Sequence, residues 1–279
     1  MQQRWIFLII VIFSLMFGGT ARAEGWTQPE GKVEFIPSLF YYSAAREFSS
    51  DGLLYDFSNS GSLTAVILTL YGEWGVTNDL TLIGEVPFAH FEYQESDSAG
   101  SFRDVLTPPF TYIGVGGRYA LWRIGNTVVS VSNMVHVPPG FHRGLYDDPT
   151  HPFLSDGYFE NISAAEFGAS FTWGWLEGKI AYHARDEDPS NQLELQCTAG
   201  FSSQKNIMAK VTLGYIKTLA PLPATAVNPR LTNAQENYLW LETQFIIKFS
   251  GFSVGAGFNF RVVGQHTLDM DGGGITFIL

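Results

Sequence analysis

A strict two-residue alternation recurs along the chain from about residue 32 to the end, and it limits the fold more than any other feature. In Gln192 to Ser202 one face reads Leu193, Leu195, Cys197, Ala199 and Phe201, and the other Gln192, Glu194, Gln196, Thr198, Gly200 and Ser202. In Phe252 to Val262 the apolar series is Phe252, Val254, Ala256, Phe258, Phe260 and Val262. In Ala164 to Trp175 it is Ala165, Phe167, Ala169, Phe171, Trp173 and Trp175. Period two marks strands whose successive side chains point to opposite sides. Segments of about ten residues are roughly twice the modal globular strand and match a tilted strand crossing a bilayer.

The pattern predicts twelve strands, at 32–45, 62–75, 80–92, 110–122, 127–137, 162–175, 178–186, 191–202, 207–218, 237–249, 252–263 and 270–279. Tight turns follow every second strand: Thr77-Asn78-Asp79, Arg123 to Asn126, Leu176-Glu177, Ser203 to Asn206 and Ser250-Gly251. Longer connections alternate with them, at 46–61, 93–109, 138–161, 187–190, 219–236 and 264–269. Short turns at one end and mostly long loops at the other describe an all-β, closed antiparallel transmembrane barrel with both termini in the periplasm. Most prolines fall in the loops; Pro37 and Pro87 fall inside strands, where a bulge is expected. Aromatic residues gather near strand ends, with Trp74, Tyr119, Trp173, Trp175, Phe249 and Phe252 at the short-turn side. Tyr41, Phe88, Tyr112, Tyr182 and Tyr215 mark the other. A soluble β-sandwich also alternates, but strand length, the two classes of loop and the lack of disulfides favour the barrel.

The first residues read as an export signal. Arg4 gives a positive start, Trp5 to Phe17 an apolar run, and Ala21-Arg22-Ala23 a small-residue cleavage pattern. Residues 1–23 are the expected signal peptide and 24–279 the barrel, exported to the outer membrane of a Gram-negative bacterium. No later stretch reaches the roughly 18 apolar residues of a spanning helix. The closing Gly274 to Leu279 alternates to its last position and resembles the terminal strand read by barrel-assembly machinery. That machinery, outer-membrane lipid and lipopolysaccharide are the expected partners.

Charge narrows the function. The 16 Lys and Arg against 27 Asp and Glu exclude a nucleic-acid binder, and one Cys excludes a Cys-based zinc or iron–sulfur site. On lumen-facing positions the alternation puts Glu34, Glu73, Glu85, Glu166, Glu194 and Glu242 with Arg118, Lys179, Arg185, Lys210, Lys248 and Arg261. The long-loop side is strongly acidic: a solvated rim, with cation binding the sharper alternative. Tyr42, Tyr71, Tyr238 and Trp240 are candidate liners that can stack on an aromatic solute, and Gly114, Gly116, Gly168, Gly200, Gly214, Gly255 and Gly257 leave room inside. No hydrolase, phosphate-loop or dinucleotide motif is present, and no cofactor or metal is expected. Ser132 and His136 share lumen parity but lie about 13 Å apart along an extended strand, too far for a nucleophile and its base. His142, Asp147, Asp148 and His151 share the longest loop, where a polar loop is the simpler reading than a metal site. Cys197 packs on the lipid face.

One segment carries a resemblance. Tyr71-Gly72-Glu73-Trp74, the turn Thr77-Asn78-Asp79, and Val86-Pro87-Phe88 resemble the second hairpin of the "MetA-pathway of phenol degradation" family of outer-membrane proteins, over about 20 residues. The resemblance implies a channel-like barrel passing aromatic or other hydrophobic compounds, with no catalytic residues to carry over, and it accounts for Pro87. Together these readings favour a passage for small molecules. A barrel enzyme acting on lipid or lipopolysaccharide, through a Ser beside His136 or His183, and a closed structural or adhesive barrel are the alternatives.

Overall fold

The computed structural model describes residues 26–49, 51–57, 60–97, 100–106, 111–138, 159–185, 191–203, 206–219, 237–265 and 267–279, with the backbone alone at 95–97, 100–106, 203 and 268. Its strands are β1 (Val33–Ala44), β2 (Arg46–Phe48), β3 (Leu54–Asp56), β4 (Ser62–Gly75), β5 (Leu80–Asp97), β6 (Gly100–Leu106), β7 (Ile113–Ile124) and β8 (Thr127–Val137). They continue as β9 (Glu160–Phe171), β10 (Gly174–Arg185), β11 (Gln192–Ser203), β12 (Ile207–Thr218), β13 (Asn237–Lys248), β14 (Ser253–Gln265), β15 (Thr267–Leu268) and β16 (Asp271–Ile278).

Twelve of these form one antiparallel ring in the order β1, β4, β5, β7, β8, β9, β10, β11, β12, β13, β14, β16 and back to β1. The seam pairs Ser38 with Thr276 through Ser43 with Asp271. Two further bonds, Leu279 N–H to the Phe35 carbonyl at 2.9 Å and Phe35 N–H to the Leu279 carbonyl at 3.2 Å, carry it to the last residue. The chain is therefore a closed twelve-stranded barrel of the transmembrane type, with no lateral edge left in the ring. At the long-loop end, β6 folds back on the extension of β5, and β2, β3 and β15 make a separate small sheet.

The two faces invert the soluble-protein rule. Ile180 is 56% exposed and its neighbour Ala181 1%. Val131, Leu195, Leu213, Phe245, Phe258 and Ile275 also face outward, while Thr81, Ser130, Gln192, Thr198 and Thr212 are almost wholly covered. An apolar exterior around a polar interior is the partition hydrocarbon imposes on a spanning barrel. Rings bound the short-turn end: Phe171 on Trp173 (centroids 5.1 Å apart), Trp173 on Phe201 (5.4 Å) and Phe249 on Phe252 (4.8 Å).

Four expectations need correction. The turn between β9 and β10 is Thr172-Trp173, not Leu176-Glu177, because Phe171 pairs with Gly174 and Ser170 with Trp175. Gly174 makes this closure feasible: a Cβ there would lie 1.9 Å from the Gly200 carbonyl oxygen. Trp175 and Glu177 consequently point into the barrel, buried, rather than sitting at the lipid boundary and in the turn. Tyr112 also turns inward, donating its hydroxyl to Glu85. Finally, the in-strand prolines sit at ladder interruptions, not bulges. Pro37 lies between the two runs of the β1–β16 seam. Pro87 lies where β5 leaves β7 after Glu85 and before it meets β6 at Phe91.

Placing a charge at the middle of the outer face tests the partition. Ile180→Arg is expected to lower stability by about 2–4 kcal/mol in urea unfolding from lipid vesicles.

Candidate functional site: the barrel lumen

Half of the inner wall is a continuous ion-paired surface. Near the short-turn end, Arg118 (β7) donates from Nη1 to Glu73 (β4) at 2.9 Å and from Nε to Glu166 (β9) at 2.6 Å. Tyr71 donates to Glu73 at 2.6 Å and Ser132 (β8) to Glu166 at 2.5 Å. Towards the long-loop end a second belt runs through successive strands. Tyr112 holds Glu85 (β5) and stacks on His136 (β8), with centroids 4.1 Å apart. His136 lies 3.5 Å from Glu85 and 3.1 Å from Glu160 (β9). Glu160 also takes His183 Nδ1 at 3.0 Å and Arg185 Nε at 2.9 Å. His183 (β10) meets Glu194 (β11) at 3.0 Å through Nε2, and Lys179 donates to the same oxygen at 2.9 Å. These charges are largely removed from solvent, and only mutual pairing makes such burial tolerable. Alternate-residue spacing places them: Glu177, Lys179, His183 and Arg185 share one face of β10, and Glu194 and Gln196 one face of β11.

The opposite half is aromatic. Tyr42 and Phe40 (β1) stack with centroids 6.0 Å apart, and the ring of Tyr238 (β13) lies 4.2 Å from the Arg261 guanidinium (β14), which also bonds Thr267. Lys210 (β12) and Glu242 (β13) form the ion pair of this side at 3.5 Å, and Lys248 ends β13 at the short-turn mouth. Several glycines take a different part from the expected one. Gly274 pairs with Phe40, Gly272 with Tyr42 and Gly214 with Trp240 on this wall, and Gly200 with Trp175 at the short-turn end of the charged one. A Cβ on any of the four would fall within 2.1–2.4 Å of the partner's ring. Each ring thus lies flat over a glycine on the neighbouring strand, so the wall is smooth where a larger residue would push the ring inward. Gly114 is covered by Glu85 and His136 in the same manner.

A cavity of about 320 Å³ adjoins the charged wall, lined by Tyr71, Glu85, Arg118, His136, Glu166 and Lys179 together with the apolar Ile83, Met134 and Ile162. Of the sixteen inward positions expected from alternation, five (Tyr71, Glu85, Arg118, Glu166 and Lys179) meet at this cavity, and Glu34 takes the Gln28 side-chain amide at 2.8 Å. Glu73, Arg185 and Glu194 stand behind it as partners. Tyr42, Lys210, Tyr238, Trp240, Glu242 and Arg261 lie on the other wall, and Lys248 at the mouth. Glu160, Glu177, His183 and Tyr112 belong to the site and were not among the expected liners. His183 shares the parity of Lys179 and Arg185, a signal present in the sequence; Glu160 lies two residues before the expected strand start. Among the described residues, the side-chain bonds of His136 and His183 go to carboxylates, and Ser132 bonds Glu166. The loop holding His142, Asp147, Asp148 and His151 lies outside the described residues.

The fold and lumen define a class, a transmembrane β-barrel with a polar, ion-paired interior. No family model and no curated protein sequence matches the chain. Among solved structures, the COG4313 outer membrane channel from Pseudomonas putida F1 has the same architecture, with a TM-score of 0.69 at 8% identity, covering 92% of this chain and 97% of that one. The transport unit of the autotransporter AIDA-I from Escherichia coli reaches 0.50 at 13% identity, over 88% of this chain and 89% of that one. At these identities the likeness is one of fold.

Glu160 is the hub whose loss tests the belt. Glu160→Ala leaves Arg185 and two imidazoles facing each other and is expected to cost about 3–5 kcal/mol in urea unfolding.

Proposed function

We propose that this protein is an outer-membrane channel for small molecules that carry both a flat apolar or aromatic face and a polar group. The observation that carries the reading is the two-sided lumen, with aromatic rings laid against one wall and a self-paired charge network on the other. A solute crossing this bore can stack on Tyr42 or Trp240 while its polar group exchanges hydrogen bonds with the opposite side. Its side chains, already bonded to one another, still offer donors and acceptors to a solute's polar group. The hairpin's resemblance to the phenol-degradation family and the channel identity of the Pseudomonas putida protein support the same reading.

The setting follows from it. The signal peptide, residues 1–23, is cleaved after Ala23; the short turns face the periplasm and the acidic loops face lipopolysaccharide. The final strand is the element handed to the assembly machinery. On this reading the protein works as a passage, and the side-chain bonds of both lumenal histidines among the described residues go to carboxylates.

Liposome swelling tests the proposal. Vesicles carrying the purified protein are expected to take up small phenolic solutes faster than sugars of similar mass. Trp240→Ala, which removes a stacking surface worth about 0.5–1.5 kcal/mol, is expected to reduce that preference several-fold. No uptake of any solute, together with silence in planar bilayers, contradicts the channel.

A further inference from the structure

The segment before β1, residues 26–32, folds back into the short-turn mouth. Its anchors lie on one side of the barrel. The Gln28 backbone N–H donates to Thr81 Oγ1 at 2.7 Å, and its side-chain amide donates to Glu34 at 2.8 Å and to Glu73, the Arg118 partner, at 3.0 Å. Thr27, buried, donates its hydroxyl to the Asn78 carbonyl at 2.5 Å, and Gly31 N–H bonds the Gly75 carbonyl at 2.8 Å. Arg123 bonds Thr27 and the Asn78 carbonyl, and its guanidinium sits 5.7 Å from the Trp26 ring. Gly75 makes the passage sterically feasible, since a Cβ there would lie 2.1 Å from the Pro29 carbonyl oxygen.

The far end of this strap lies across the bore. Trp26 packs against Trp175 on β10, five strands round the ring from β4 and close to diametrically opposite it. Trp175 is 5% exposed, lies flat over Gly200, and is packed from another side by Met208. Both indole N–H groups are buried with no hydrogen-bond partner among the described residues. Seven residues too short to show periodicity thus form a bar from one wall to the other, ending in two indoles with unused donors.

We propose that Trp26, held by this strap against Trp175, is the specificity-determining residue of the periplasmic exit. It admits flat, ring-sized molecules bearing an oxygen acceptor and stops bulky ones. The inference rests on the channel reading above and adds where selection by shape occurs. A planar solute that parts the two packed indoles can stack on one face and offer its hydroxyl or carboxylate oxygen to the indole N–H it uncovers. A puckered disaccharide has no such flat profile.

Two variants separate the strap from the wall. Trp26→Ala shortens the bar, and Gly75→Ala displaces the strap with Trp26 intact. Both are checked for barrel folding by the gel-mobility shift between unheated and boiled samples. In planar bilayers and swelling assays with phenol, arabinose and sucrose, each is expected to raise single-channel conductance by at least about twofold and to admit sucrose. The wild type and Trp74→Ala, altered on the outer face, exclude it. A conducting wild type whose conductance and size limit are unchanged in both folded variants overturns the strap proposal and leaves the channel standing. Silence of all the folded proteins overturns the channel reading and the strap proposal with it.

Discussion

Every backbone N–H and carbonyl that enters hydrocarbon must find a partner within the protein, and that requirement shapes this molecule. A sheet meets it only by closing on itself. Closure depends on the seam between β1 and β16, which continues past the last assigned strand residue to the backbone of Leu279. Where a ladder position is lost, the chain places a residue that has no N–H to satisfy. Pro37 stands at the break in the seam and Pro87 where β5 changes partners.

Once the ring closes, the two faces of each strand meet different surroundings, and the side chains follow. The outer face can be uniformly apolar because lipid covers it. The inner face has the opposite problem: twelve strands bring many polar groups into a narrow bore, where unpaired charge is expensive. One wall answers by pairing, with Arg118 between two carboxylates and Glu160 gathering two histidines and an arginine. The other answers with rings laid over glycines, which supply apolar surface while keeping the wall thin. The lumen's two-sided chemistry is thus a consequence of how each wall resolves its own packing.

Strand positions were readable in the sequence because alternation sustained over ten or more residues suits little besides a long two-faced strand, and all twelve barrel strands lie close to where it put them. The turn after β9 was not. A two-residue turn reverses which parity points inward, yet the series Phe171, Trp173, Trp175 runs through it unbroken, so periodicity alone carries Trp175 to the wrong face. Glu160 escaped because loop and strand grade into each other at its position. The strap escaped for a different reason: its placement depends on Asn78, Gly75 and Arg123, distant in sequence, and no local pattern in residues 26–32 announces them. Pairing partners within the lumen were likewise beyond periodicity, which gives a residue's face but not its neighbour's height.

The central claim is that odd and even residues of one strand meet hydrocarbon and the polar barrel interior respectively. Spin labels placed singly along β11, at residues 193 to 198 in a background with Cys197 replaced, report it directly in lipid bilayers. The account predicts high collision with oxygen at 193, 195 and 197, and at 194, 196 and 198 a collision with oxygen that is low relative to that with a water-soluble nickel chelate. Equal protection from both reagents at every position, or no two-residue period, would contradict it.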